Sequence, residues 1–280
     1  MGDFMIEAEL QRKFREDGVV YLPQALSAAT LSLALMAYDW SLAHPGPGAG
    51  LLPDDGGGEF YQDLANPEAL VAYAPLLACV EFKQILQNLF QHPQVWFMYE
   101  QVFTKRGGRT RRTPWHQDAS YLPVAGEDLA VMWISFDPVD YDHALEFVPG
   151  SHRGVLYDGA SFDPADDTAP LYGGDLMPRL PDIQAQRDQW PIVSWATVPG
   201  DVVIFHPGVL HGGAQTAPNQ VRRTLSLRFF GADAIVAHRP SRRQPVARGE
   251  GTPQKAQHPL TRMRSAPEGE PFRDPEFPLL

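Results

Sequence analysis

The chain has 280 residues, 44% of them hydrophobic, enough to bury a substantial core and too many for a disordered chain. Its 23 Lys and Arg stand against 34 Asp and Glu, a net charge of −11, which argues against a general nucleic-acid binder because phosphate contacts need a cationic surface. Cys79 is the single cysteine, so no internal disulfide can form, and a reducing cytoplasm is the expected compartment.

The start, MGDFMIEAELQRKF, carries early acids and no long apolar run, so it does not read as a signal peptide. No stretch approaches the roughly 20 apolar residues of a membrane helix, and the terminal FPLL matches no lipidation or retention address. Met5, Ile6, Leu10 and Phe14 have helical spacing and predict a helix over 5–16, stopped by Gly18. VVYLP (19–23) reads as a short strand, and Ser27 caps a helix to about Leu42. The Gly- and Pro-rich 44–60 reads as a flexible loop, and 67–90 as helical.

From Val95 the pattern changes to short β-rich runs: WFMYEQVFT (96–104), DLAVMWISFDPV (128–139), ALEFVPG (144–150), IVSWATVPGDVVIFH (192–206) and RRTLSLRFF (222–230). Helices first and many strands afterwards predict a mainly β barrel or jelly roll with flanking helices, not alternating βαβ units. A single domain is expected, with a mostly helical part at 1–94 and a β core at 95–231. A long Asp- and Pro-rich insertion near 157–190 would interrupt that core, and 232–280 would form an irregular tail.

His116 and Asp118 are two positions apart; in or beside a strand both can project from one face toward a common ion. Imidazole with carboxylate suits Fe(II), Mn(II) or Zn(II), and a facial triad needs another histidine from a different strand. His206 and His211 compete for that place. His211 is preferred because Gly212 and Gly213 let other groups approach closely, whereas His206 continues the strand VVIF and reads as packed or hydrogen-bonded. In VRRTLSLRFF, alternation puts Arg222, Thr224, Ser226 and Arg228 on one face and Arg223, Leu225, Leu227 and Phe229 on the other. An arginine facing the interior needs an anion, and a bidentate carboxylate satisfies it best; the plainer reading is an edge strand with two exposed arginines.

TPWHQDASYLP (113–123), DLAVMWISFDPV, VPGSHRG (148–154) and VPGDVVIFHPGVLHGG (198–213) followed by RRTLSLRF, in this order, resemble the phytanoyl-CoA dioxygenase family. The resemblance runs from Phe14 to Phe230 and implies an Fe(II)- and 2-oxoglutarate-dependent oxygenase on a double-stranded β-helix (jelly-roll, cupin-like) core. Carried across, it makes His116, Asp118 and His211 the iron ligands. Arg222, eleven positions past His211 (222 − 211), would grip the 5-carboxylate of 2-oxoglutarate, with Arg223 as its rival and Thr224 as a hydroxyl partner. Trp133 and Lys105 would also contact the cosubstrate, and His152 in the Pro-Gly-Ser-His turn would be structural. Two departures bear on local support of the site: Asp142-His143-Ala144 where relatives read Asn-Gly, and Gly213-Ala214-Gln215-Thr216 where an asparagine is common.

The implied chemistry uses O2 and releases succinate and CO2, with hydroxylation of an unactivated C–H in a small acyl, amino-acid or secondary-metabolite substrate. Desaturation, epoxidation and cyclisation use the same cofactors, while Asp118 argues against halogenation, whose enzymes lack that carboxylate. The basic run 105–112, with Lys105, Arg106, Arg109, Arg111 and Arg112, would either receive an anionic substrate or be balanced by acids of 157–190. Trp115 and Tyr121 are candidates for the pocket rim. Two readings of other classes stay open: a Zn(II) jelly-roll hydrolase or isomerase, which needs no Arg222, and a non-catalytic binding module.

Overall fold

The computed structural model describes residues 2–52, 57–107, 110–172, 176–217, 219–240 and 258–280, with side chains from residue 8 onward. Helix α1 (Gly2–Asp17) ends where Gly18 N–H donates to the Phe14 carbonyl and the chain turns at φ +72°. A Cβ at Gly18 would lie 2.4 Å from the His152 ring, so both the turn and the close approach require glycine. Strand β1 (Val19–Leu22) follows, and then α2 (Ala28–Ala43), whose first turn is capped by Ser27 Oγ accepting from Thr30 N–H at 3.2 Å.

The expected loop at 44–60 contains β2 (Gly50–Leu51) and the start of β3 (Gly58–Leu64), with 53–56 outside the described residues. Composition marks the turn, but β2 pairs with the neighbouring β3, and β3 is held in the sheet by the strand Trp96–Gly107, which lies farther along the sequence. The single helix expected over 67–90 is two, α3 (Leu70–Leu77) and α4 (Val80–Phe90), because Cys79 takes an extended conformation between them.

The remaining strands are β4 (Trp96–Gly107), β5 (Thr113–His116), β6 (Val124–Ala125), β7 (Leu129–Ser135), β8 (Leu145–Phe147), β9 (Val193–Ser194), β10 (Val202–Phe205), β11 (His211–Gly213), β12 (Arg222–Phe230) and β13 (Ile235–Val236). An antiparallel sheet of seven strands runs β1-β10-β7-β12-β4-β3-β2, and a sheet of four runs β5-β11-β8-β9. The short β13 and β6 pair separately. The large and small sheets form the double-stranded β-helix core of a mainly β, cupin-like fold.

Period-two alternation gives the large sheet two different faces. Val102, Met132, Ile134, Val202, Ile204, Leu225 and Leu227 pack under the helices with Phe14, Tyr73, Leu76, Phe82 and Leu86. Val131, Trp133, Val203 and Phe205 face the other way and pack against Phe147 of the small sheet. The site is therefore set between the sheets, on a support whose outer side the helices seal.

The 157–190 insertion folds over the small sheet. Its Leu180 and Ile183 are buried with Trp115, Val148 and Leu210, and Asp158 Oδ1 accepts from the Leu171 and Tyr172 N–H groups; 173–175 lie outside the described residues. The tail, read as irregular, carries helix α5 (Pro259–Met263) and packs Leu260, Met263, Phe272 and Phe277 against Met98, Leu129 and Phe230. Residues 241–257 lie outside the described part. Its last residues dock by backbone bonds, Leu280 N–H to Val95 O and Phe97 N–H to Pro278 O, both 2.9 Å. Polar composition missed this docking because a few well-spaced aromatic residues are enough to hold a segment. Among the described residues, no helix is long and apolar enough to cross a membrane.

Glu100 on β4 is a buried acid at the helix-facing side. Burial pushes its carboxyl up to about 8, opposed in part by the Asn66 N–H that it accepts at 2.8 Å. Between its ordinary value of 4.5 and about 8, the folded state holds a proton that the unfolded state has lost, so this residue makes stability fall as pH rises through that window. Denaturation midpoints measured from pH 5 to 9 are expected to decline less in Glu100→Gln than in the parent protein.

Candidate metal centre

His116 ends β5 and His211 begins β11, and the antiparallel ladder makes them direct partners. The pairing brings their rings to a centroid separation of 4.2 Å. Gly212 permits it: a Cβ there would meet the Thr113 carbonyl at 2.9 Å. Asp118 lies beyond the strand, at the start of a 3-10 turn over Asp118–Tyr121, so a turn and not strand alternation swings its carboxylate back toward the histidines. Gln117 ties that turn in place. Its amide donates to Gly208 O at 2.7 Å and to Val155 O at 3.2 Å, and its Oε1 accepts from Tyr157 N–H at 2.8 Å.

The two imidazoles are oriented by the backbone. His116 Nδ1 lies 2.9 Å from Pro114 O, and His211 Nδ1 lies 3.0 Å from Val209 O. A carbonyl can only accept, so each Nδ1 carries a proton, and in the neutral form of the ring the lone pair is on Nε2. Those Nε2 atoms are 3.4 and 3.8 Å from Asp118 Oδ1, and one ligand atom from each of the three residues lies within 4.8 Å of the others. Burial, with His116 beside it, pushes His211 down to about 3, leaving it neutral. Burial pushes Asp118 up, but Arg228 and the two histidines outweigh it and hold the carboxyl well below the usual range. Two imidazole nitrogens and one carboxylate form a donor set that fits a divalent first-row metal.

His206, the competing histidine, uses both nitrogens in packing: Nε2 donates to Gly126 O and Nδ1 accepts from Gly208 N–H, each at 3.0 Å. His152 packs its ring 5.2 Å from that of His206. Ser151 in the same Pro-Gly-Ser-His turn donates to Val148 O and accepts from Leu210 N–H at 2.8 Å, which holds the residue before His211.

On β12 alternation holds. Arg222, Thr224, Ser226 and Arg228 are buried on the face between the sheets, while Arg223 points to the opposite face and forms a bidentate pair with Asp137. Arg222 is 3% exposed and donates through Nη2 to Gln215 O, yet its Nε and Nη1 have no partner among the described residues. Directly opposite it on β4 stands Lys105, 4% exposed, donating to Ala214 O at 2.7 Å. Two cations facing each other across a ladder are unfavourable without an anion, and burial pushes Arg222 down to about 10. Arg222 Nε and Nη1 are thus donors that a carboxylate could take up. Thr224 is the next inward residue, and Trp133 lies opposite Ser226 on the same face.

Several expected rim residues sit elsewhere. Trp115 follows alternation away from His116 and is buried with Leu180, Ile183 and Leu210 under the insertion, so it does not border the metal ligands. Arg111 pairs with Asp167 of the insertion, Arg112 with Glu146, and Arg106 with Glu59; Arg109 lies outside the described residues. Arg106, Arg111 and Arg112 of the basic run are thus met by the protein's own carboxylates. Tyr121 does border the site, edge-on to His116 at 6.2 Å. Sequence reading missed Phe162, whose ring stands 5.4 Å from that of His116 and stacks on Tyr121 at 6.3 Å. Its backbone φ of +58° is unusual for a bulky residue, and no local pattern signals it. Arg228, which alternation groups with Arg222 on one face but to which the sequence gives no role, reaches Asp118 Oδ2 at 3.1 Å.

Residues 14–224 match the sequence profile of the family described as phytanoyl-CoA dioxygenase, and the chain belongs to that family. The human protein named phytanoyl-CoA dioxygenase, peroxisomal, is 28% identical over 177 residues, covering 61% of this chain and 49% of that relative. A Stutzerimonas stutzeri protein named probable alpha-ketoglutarate-dependent hypophosphite dioxygenase is 25% identical over 121 residues, 43% of this chain and 40% of its own. The chain spans about half the length of the curated phytanoyl-CoA dioxygenases from human, mouse, rat and cattle that it matches. The structure of the epimerase SnoN in complex with Fe3+, alpha ketoglutarate and nogalamycin RO has the same fold. It superposes with a TM-score of 0.69 over 99% of each chain at 18% identity. The carbocyclase SnoK gives 0.64 at 21% identity, over 97% of this chain and 95% of its own.

Gln117→Ala would leave the Gly208 carbonyl and Tyr157 N–H buried without their partner, at a cost of about 1–3 kcal/mol. Urea denaturation is expected to show that loss together with weaker Co(II) binding, since the turn that carries Asp118 loosens.

Proposed function

We propose that the chain is a non-haem Fe(II)- and 2-oxoglutarate-dependent oxygenase acting on a C–H bond of a small organic substrate. One observation carries the reading: a three-donor cluster and an incompletely satisfied buried arginine share the space between the sheets. A zinc hydrolase or isomerase needs the first and has no use for the second. When bound, Fe(II) with 2-oxoglutarate and O2 supplies the oxidising power, with release of succinate and CO2.

The chain's own residues bind, orient and exclude water. His116 and His211 would present Nε2 and Asp118 one carboxylate oxygen, leaving the rest of the ion's positions for cosubstrate and O2. Arg222 would hold the 5-carboxylate through Nε and Nη1, with Thr224 and Lys105 beside it, while Trp133, Phe147 and Phe205 keep that space dry. Arg223 is committed to Asp137, which supports Arg222 over its rival.

The stacked Tyr121 and Phe162 form an aromatic wall next to His116, and Arg111 and Arg112 are already paired. Both observations support an apolar, uncharged substrate part near the metal over an acyl-CoA phosphate or other anion. Hydroxylation is the default outcome, with desaturation, epoxidation and cyclisation open to the same cofactors. The lone Cys79 supports a reducing cytoplasm, and the packing of helices and tail on one large sheet supports a single domain.

Anaerobic Fe(II) plus 2-oxoglutarate is expected to give the visible charge-transfer band of the chelate, and in air slow succinate formation that Asp118→Ala abolishes. Absence of the band in iron-replete protein would favour a binding module. Arg222→Met is expected to raise the 2-oxoglutarate concentration needed by about 10–100-fold, the loss of a charge-assisted bond, and Arg223→Met to leave it unchanged. Against a substrate found by oxygen-consumption screening, Phe162→Ala should raise KM while the band keeps its position.

A further inference from the structure

Neither metal ligation nor cosubstrate binding uses Arg228, although it touches a candidate ligand. Its side chain is 6% exposed and lies across the face of Tyr99, with Cζ 4.7 Å from the ring centroid. Nη1 donates to Ser226 O at 3.3 Å, and Nη2 lies 3.1 Å from Asp118 Oδ2. The two oxygens of Asp118 are thereby divided. Oδ1 faces the Nε2 atoms of His116 and His211, and Oδ2 is held by the guanidinium.

We propose that Arg228 is a positioning residue that keeps Asp118 a one-oxygen metal ligand, by occupying Oδ2 so that the carboxylate cannot turn both oxygens to the ion. This rests on the metal-site reading above. The physical basis is rigidity as well as charge. β12 fixes the arginine backbone opposite Tyr99 and Val131, and the Tyr99 ring lies against the guanidinium plane. A freed Oδ2 would take a coordination position that a chelating cosubstrate needs, so the same strand that offers Arg222 to the cosubstrate keeps room for it at the metal.

The probe is Co(II) alone, whose visible spectrum reports coordination number. Arg228→Met is close in length and carries no charge; it is expected to bind Co(II) with a spectrum altered in position and intensity from wild type. In its Co(II) form, 2-oxoglutarate should bind about 10–100-fold more weakly. A merely structural role would lower Tm and leave the spectrum of the bound ion as it was, so superimposable spectra in folded Arg228→Met overturn the proposal. Should that variant not fold, a crystal structure of the wild-type Co(II) form decides: Oδ1 on the ion with Oδ2 still on Arg228 supports it, and both oxygens on the ion overturn it. Wild type that binds Co(II) but no 2-oxoglutarate would defeat the cosubstrate reading and leave the Co(II) comparison in force. Wild type that binds no Co(II) would defeat both.

Discussion

The site depends on a single geometric constraint, the period-two alternation of β12. Its Leu225, Leu227 and Phe229 must face the helices to complete the main core, and that commitment turns Arg222, Thr224, Ser226 and Arg228 toward the space between the sheets. Burying two guanidinium groups there is unfavourable unless each meets an anion. Arg228 meets Asp118, whereas Arg222 meets one backbone carbonyl and keeps two nitrogens unsatisfied.

Around that strand, the candidate ligands are held by backbone more than by side chains. Carbonyls of Pro114 and Val209 fix the tautomers of His116 and His211, the β5–β11 ladder fixes their spacing, and Gln117 pins the turn that returns Asp118. The Pro-Gly-Ser-His turn acts through Ser151 on Leu210, and Asp201 fixes the start of β10 by accepting from Tyr21 OH and the Gln24 and Val198 N–H groups. These motifs therefore support the metal centre without touching it. Each removes a degree of freedom from an element that carries a donor, which is what a site built on short strands needs.

The insertion adds both apolar cover and charge balance. Its Leu180 and Ile183 close over Trp115, and its Asp167 takes up Arg111, so part of a run that looks cationic in sequence is balanced from this segment. Phe162 comes from the same segment and joins Tyr121 beside His116. The part of the chain with the least regular pattern thus supplies part of the wall nearest the candidate ligands.

The sequence by itself determined the class of fold, the ligand types and the division of β12 into two faces, since these follow from periodicity and from spacings of a few residues. Ser27 as a cap, Gly18 as a stop, the grouping of Arg222, Thr224, Ser226 and Arg228 on one face, and the packed role of His206 were all legible at that range; which face of β12 turns inward was not. The turn at Asp118, the break at Cys79, the docking of 258–280 and the strands β5 and β11 were not, because each depends on partners far away in the chain. Tertiary structure alone decided which charges are spent. Arg111, Arg112, Arg223 and Arg228 find carboxylates at sequence separations from 34 to 110, while Arg222 does not. Local patterning can place a guanidinium on a face, but whether it is satisfied depends on what the rest of the fold brings opposite it.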